Sequence, residues 1–172
     1  TKSNVIDNHN NPNKSEIKKK NAIISCNSGS GFIKIMKELE CDYIIEGGQS
    51  NNPSAQDIIE AIDNVNAENT LILPNNSNII LAAQQASKIR SNKNIHIIPT
   101  KNQVEGITAI MNYSSELDME NNLKEIEQSL KNLIVGEITQ SIKDTKIDGI
   151  KIKKDSYLMI MQHKIIDTKK DL

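Results

Sequence analysis

Between Asn21 and Tyr113 short apolar runs alternate with amphipathic stretches four times, and this alternation limits the chain to few folds. AIIS leads into a stretch carrying Phe32, Ile33, Ile35, Met36 and Leu39. DYIIEG leads into PSAQDIIEAIDNV, with Ile58, Ile59, Ile62 and Val65 at helical spacing. TLILP precedes SNIILAAQQASKI, and NIHIIP precedes VEGITAIMNY. Each first member is a short continuous apolar run, as expected of a strand buried on both faces. Three helix starts carry capping residues: Ser54 with Asp57 beside Pro53, Ser77 or Asn78, and Asn102 with Glu105. The expected architecture is α/β, a parallel sheet of about four strands with right-handed crossovers and flanking helices.

The flanks read differently. Residues 1–20 are polar, rich in Asn and nearly without apolar side chains, so a linker or disordered lead-in is expected, with the domain proper over 21–172. A longer amphipathic helix is expected from about Asp118 to Asn132, with Leu123, Ile126, Leu130 and Leu133 on one face. Beyond it the period changes to two. GEITQSIKD and the segments around Asp148-Gly149 and Gln162-His163 suggest antiparallel hairpin strands, with Ile142 and Ile147 inward and Lys143 and Lys151 outward.

Composition narrows the function. Lys plus Arg number 21 and Asp plus Glu 22, so no basic face for nucleic acid is expected. Aromatic residues are 2%, which argues against stacking platforms for bases or sugars. Cys26 and Cys41 are too few for a disulfide framework and read as reduced, buried thiols of a cytoplasmic protein. No apolar run reaches the length of a membrane span, so no membrane insertion is expected, and no signal peptide is visible.

In an open parallel sheet ligands bind beyond the carboxyl ends of the strands. The loops expected there are Asn27-Ser28-Gly29-Ser30-Gly31, the segment from Gly47, Gly48, Gln49 and Ser50 to Ser54, Pro74-Asn75-Asn76-Ser77, and Pro99-Thr100-Lys101-Asn102. On one rim, with helix N-termini behind them, they would favour an anion. Ser28 to Gly31 lacks the lysine of a phosphate loop and the third glycine of a dinucleotide fingerprint, so a tight turn with an N-cap explains it equally well. Gly47-Gly48 serves positive φ or close packing, Asn75-Asn76 an Asx turn, and Lys101 is the single cation expected on the rim. His9 falls in the lead-in, His96 in a strand and His163 in a hairpin turn. None has a Cys or carboxylate at metal-ligand spacing, and no catalytic set emerges.

The order of GGQ-x-x-NPS at Gly47 to Ser54, ILPNN-x-N at Ile72 to Asn78, IPTK at Ile98 to Lys101 and D-T-x-I-D-G at Asp144 to Gly149 resembles the C-terminal region of the DAK2-domain proteins. These are the ATP-binding components of bacterial fatty acid kinase and relatives of dihydroxyacetone kinase. The likeness runs from about Asn21 to Ile166. It implies a DegV-like fold, here the first α/β part of that region, which makes the chain look truncated. It also implies that ATP and magnesium belong to a separate N-terminal domain, so that this chain holds no cofactor. DegV-type lipid binders hold a carboxylate with hydroxyl side chains in the second and third loops, where this chain has Gly47-Gly48 and Asn75-Asn76. The resemblance therefore implies docking of a fatty-acid-carrying partner protein, or homodimer contacts, with fatty acid or small-anion binding by the same loops as the alternative.

Overall fold

The computed structural model describes residues 5–7, 19–47, 52–162 and 164–170. The chain divides into two compact units, Thr1–Lys131 and Asn132–Leu172.

The first unit carries β1 (Val5–Asp7), β2 (Lys19–Asn27), α1 (Ser30–Glu38), β3 (Tyr43–Glu46), α2 (Ala55–Asn64), β4 (Ala67–Leu73), α3 (Ser77–Ile89), β5 (Asn94–Ile97), α4 (Gln103–Met111) and nearly all of α5 (Met119–Asn132). Its sheet has the order β1-β3-β2-β4-β5. The strands β2 to β5 are the four expected from the apolar runs, and they pair in parallel. Strand β1 pairs antiparallel with β3, Val5 opposite Ile45, so the stretch read as lead-in supplies an edge strand, and β2 already begins at Lys19.

Side chains on the strands alternate between two cores, as a period of two requires. Ile24, Cys26, Tyr43, Ile45 and Ile72 pack with Ile58, Ile59 and Ile62 of α2 and Ile79, Ala83 and Ala86 of α3. Ile23, Ile44, Leu71 and Leu73 pack on the other face with Ile33 and Met36 of α1, Ala109 and Ile110 of α4 and Ile126 of α5. Cys26 and Cys41 are both buried and reduced, one in each core. The capping expected for α2 is present: Ser54 Oγ accepts from Asp57 N at 3.2 Å and Ser54 N donates to Asp57 Oδ2 at 2.8 Å. Helix α3 is capped one residue earlier than expected, by Asn76, whose Oδ1 accepts from Asn78 N at 2.9 Å. An Asx side chain reaches the N–H two residues on, which displaces the cap from Ser77.

At the opposite end of the sheet from the strand-end loops, Asp63 closes α2 against α3. Arg90 donates to it through Nη2 at 2.5 Å and Nε at 2.9 Å, and Lys93 Nζ adds a contact at 3.1 Å. Lys93 also donates to the Ile62 carbonyl at 2.9 Å, placing a cation at the C-terminus of α2.

The second unit is built of β6 (Gly136–Gln140), β7 (Thr145–Ile147), β8 (Ile150–Ile152), β9 (Tyr157–Met161) and β10 (Lys164–Lys169). Strands β10-β9-β6 form one antiparallel sheet and β7-β8 a hairpin. Asp148 and Gly149 both have positive φ, 51° and 84°, as a two-residue type I′ turn requires. The expectation that Ile142 and Ile147 point inward fails: they are 84% and 43% exposed. Ile142 lies in the bend after β6 rather than on a strand, so the alternation that placed it does not apply. His163 and the loop residues Gly48, Gln49 and Ser50 fall outside the described residues.

Two outcomes follow. Burial pushes both thiols up to about 12, so neither should react with a disulfide reagent at pH 8 while the chain is folded. Two thiols should react per chain in denaturant, and labelling in the native state would overturn the two-core packing. Hydrogen bonds from Arg90 and Lys93 hold the Asp63 carboxyl well below the usual carboxylate range. Its contribution is present above the unfolded value of about 4 and lost as pH falls towards the lower folded value. Asp63→Asn should therefore cost about 1 kcal/mol at neutral pH, with the half-exposed setting keeping it small. The gap to the parent chain should narrow in urea unfolding below about pH 4.

Candidate functional site

The chain goes from β2 to its neighbour β3 and then crosses to β4 on the other side of β2. Helix α1 covers one face and α2 the other, so the order of strand addition reverses between the parallel neighbours β2 and β4. In open α/β sheets this switch point, outside the carboxyl ends of the strands, is where a crevice forms. The loops after β2 and β4 flank it, and the loop after β5 lies next to them.

Side chains of these loops bind one another. Asn75 is buried and has φ 56°, a left-handed conformation that asparagine tolerates better than most residues. Its Nδ2 donates to Ser25 Oγ at 2.9 Å and to the Cys26 carbonyl at 3.0 Å. Its Oδ1 accepts from Thr100 Oγ1 at 2.8 Å, and its own N–H donates to that Thr100 oxygen at 3.0 Å. Three strand ends are thus stitched through one amide. The backbone of α4 comes close behind it: a Cβ added to Gly106 would stand 2.1 Å from Asn75 Oδ1.

A second set joins the first loop to α4. Gln103 Oε1 accepts from Ser28 N at 2.9 Å and from Asn27 Nδ2 at 3.2 Å, and its Nε2 donates to Ser28 Oγ at 3.3 Å. The Ser28 N–H fixes which end of Gln103 is the acceptor, and so which end of Asn27 faces it. Asn27 Oδ1 is left buried with no donor, although it is 2% exposed as a residue. Such a group has a cost unless something satisfies it. Helix α1 starts at Gly29, φ 82°, with no side-chain cap, and Ser30 and Gly31 form its exposed first turn.

The remaining expected residues are placed as follows. Gly47 donates to the Asn27 carbonyl at 2.9 Å, tying the second loop's first residue to β2. Asn76 caps α3 and reaches Asn52 Oδ1 at 3.3 Å. The Lys101 N–H donates to Glu105 Oε2 at 2.6 Å while its side chain is exposed. Of the expected residues, Asn75 and Thr100 bond each other, Ser28 bonds Gln103, Gly47 bonds Asn27, and Lys101 meets only Glu105. Ser25 and Gln103, which sequence reasoning did not single out, supply hydrogen bonds to these loops, and Gly106, also not singled out, leaves room for the Asn75 amide. Gly106 carried a usable signal, a lone glycine inside the helical pattern VEGITAIM. Among the described residues no group of three His, Cys, Asp or Glu side chains is placed to hold a metal ion, and no helix is long and apolar enough to cross a membrane.

Gly106→Ala should cost about 3 kcal/mol, because the methyl displaces the Asn75 amide and leaves its partners unsatisfied. Asn75→Gly, which accepts positive φ, should cost about 2 kcal/mol. The double variant should cost clearly less than the sum. Additive losses in a urea-unfolding cycle would show that Gly106 and Asn75 do not depend on each other.

Comparison with known sequences places this arrangement. The sequence model of the C-terminal family of proteins like the A component of fatty acid kinase (FakA-like) matches residues 22–172. An uncharacterized protein of Staphylococcus aureus (strain bovine RF122 / ET3-1) is 38% identical over 150 residues, 87% of this chain and 27% of the relative. Its counterpart in strain USA300 is 37% identical over the same share. The chain thus spans about a quarter of the length of these relatives. Among solved structures, the native form of the dihydroxyacetone kinase of C. freundii superposes with a TM-score of 0.55 at 17% identity, over 88% of this chain and 33% of that one, a likeness of fold.

Proposed function

This chain belongs to the FakA-like C-terminal family of fatty acid kinase, and on that premise we propose that it is a non-catalytic docking domain whose strand-end rim recognises a protein carrying an acyl chain. The observation that carries this reading is the filling of the switch-point crevice. Asn75, Thr100 and Ser25 direct their hydrogen bonds at one another and at the Cys26 carbonyl, so the polar groups deepest at the strand ends are committed to holding the loops. A rim fixed in this way offers a rigid shape, which lowers the ordering cost of association. The family's description supports a fatty-acid-binding carrier of the DegV type as that partner. One observation favours a second reading, a small polar ligand bound directly at the rim: Asn27 Oδ1 lacks a donor beside the uncapped start of α1.

Native mass spectrometry of the chain, alone and mixed with the fatty-acid-loaded carrier of the same cell, separates these. A complex with no adduct on the chain alone supports docking; an adduct on the chain alone without a complex supports the ligand reading and sinks the docking one. Gly31→Glu tests the rim itself. Nothing lies within 4 Å of a Cβ at Gly31, and an acidic side chain in the first turn suits the helix dipole. The variant should melt no lower than the parent and should bind the carrier at least tenfold more weakly.

A further inference from the structure

Strand β6 is an outer strand of the sheet β10-β9-β6, and its residues Gly136 to Gln140 are all exposed. Its pairing with β9 is regular, from Gly136 opposite Met161 to Gln140 opposite Tyr157. Hydrogen bonds at the two ends of this ladder fix which residues face β9. Gln162 N donates to the Val135 carbonyl at 3.1 Å, and Ser141 N donates to the Ser156 carbonyl at 2.9 Å. Hydrogen-bonded pairs alternate along an antiparallel ladder, so Glu137 and Thr139 turn their main chain to β9. Gly136, Ile138 and Gln140 turn theirs away, and no main-chain group of these three has a partner outside the ladder among the described residues.

The two outer strands of this sheet are finished differently. Strand β10 carries Lys164 and Lys169 and a register break between Ile165 and Asp167, features that keep an edge from pairing with another chain. Strand β6 has no lysine, no proline and no bulge. Its one charged residue, Glu137, has its main chain turned to β9. At its centre Ile138 is 58% exposed, directly beside Met159.

Strand β6 is also complementary to itself. Laid antiparallel against a second copy, with a twofold axis at Ile138, its outward residues meet only one another. Ile138 stands opposite the partner's Ile138, and Gly136 opposite the partner's Gln140. Every outward N–H and C=O of β6 is then paired. Glu137 falls opposite the partner's Thr139, so no like charges meet, and the two isoleucines lie between Met159 and the partner's Met159 on one face. Centring the pair on Glu137 or on Thr139 instead leaves one outward residue of each copy without a partner in β6. The first of these also sets Glu137 against the partner's Glu137.

We propose that β6 is a self-association edge: two copies of this chain join antiparallel through it, with Ile138 on the twofold axis, and the two three-stranded sheets become one continuous sheet. The surface shares no residue with the strand-end rim and does not involve a carrier. One pair of strands makes a small interface, so the dimer is weak and depends on concentration.

The test is sedimentation velocity of the chain, without any carrier, from about 1 μM to 1 mM. A reversible monomer–dimer equilibrium is expected. Ile138→Pro should weaken it at least tenfold, and the fold should survive by circular dichroism, because the N–H removed is not used by the ladder. Ile138→Lys, which sets two cations face to face, should weaken it to a similar degree. Thr139→Lys should instead tighten it severalfold by placing a cation opposite the partner's Glu137. With Cys26 and Cys41 buried, Ile138→Cys should oxidise to a linked dimer, since residues paired in this way stand about 5.5 Å apart at Cα, within disulfide reach. Lys164→Cys on the other outer strand should not. A monomer at every concentration would overturn the proposal. So would a dimer indifferent to both Ile138→Pro and Ile138→Lys, a dimer weakened by Thr139→Lys, or equal linking through Lys164→Cys. Since no carrier is present, these outcomes are independent of whether the docking reading survives.

Discussion

The amide of Asn75 holds the strand ends of the first unit in place. It bridges β2, through Ser25 Oγ and the Cys26 carbonyl, to the loop after β4, and it is anchored in turn by Thr100 from the segment after β5. A buried amide of this kind is stabilising only when every donor and acceptor is met, and here the backbone must take a left-handed φ to present it. The need propagates outward. Helix α4 can approach only because position 106 has no side chain, and α4 then delivers Gln103 to Ser28 and Asn27. The loops that form the rim are therefore not independent surface segments but branches of one buried network.

This bears on what the rim can do. A doubly wound sheet leaves a crevice at its switch point, and a ligand-binding member of that class keeps polar groups free there. Among the described residues the side chains of Ser25, Asn75 and Thr100 are bonded to one another, whereas Asn27 Oδ1 has no donor and the start of α1 has no side-chain cap.

The sequence was legible wherever a local rule applied. Continuous apolar runs identified all four parallel strands; in β2, β3 and β4 burial on both faces leaves no alternation to misread, and in the half-buried edge strand β5 the run NIHII still reads as a strand. Ser54 with Asp57 and Asn102 with Glu105 marked α2 and α4 because capping is decided within one turn. The Asp148-Gly149 turn was readable for the same reason. What escaped notice depended on distant residues. Strand β1 is three residues long and is specified by pairing with β3, not by its own polar neighbourhood. Ser25 and Gln103 look ordinary in sequence; one gains its role from Asn75, fifty positions on, the other from Ser28, seventy-five positions back. Ile142 misled because alternation was assumed in a segment that bends, and Ile147, at the end of β7, lies in a short hairpin that leaves it 43% exposed.

The second unit poses the complementary question. Ile134, Ile138, Ile142, Met159, Met161 and Ile166 are all substantially exposed, whereas Ile152 and Leu158 are its only buried hydrophobic residues among those described. Ile138 and Met159 are directly paired across β6 and β9 and form an apolar pair on one face, with Asp167 of β10 opposite Met159 on the other side. A unit of this size gains little from its own core. The first unit, by contrast, fills two cores and closes its own strand ends. The same chain thus joins a self-sufficient α/β platform, rigid where it presents its rim, to a small β unit whose surface is far more apolar than a stable isolated domain requires.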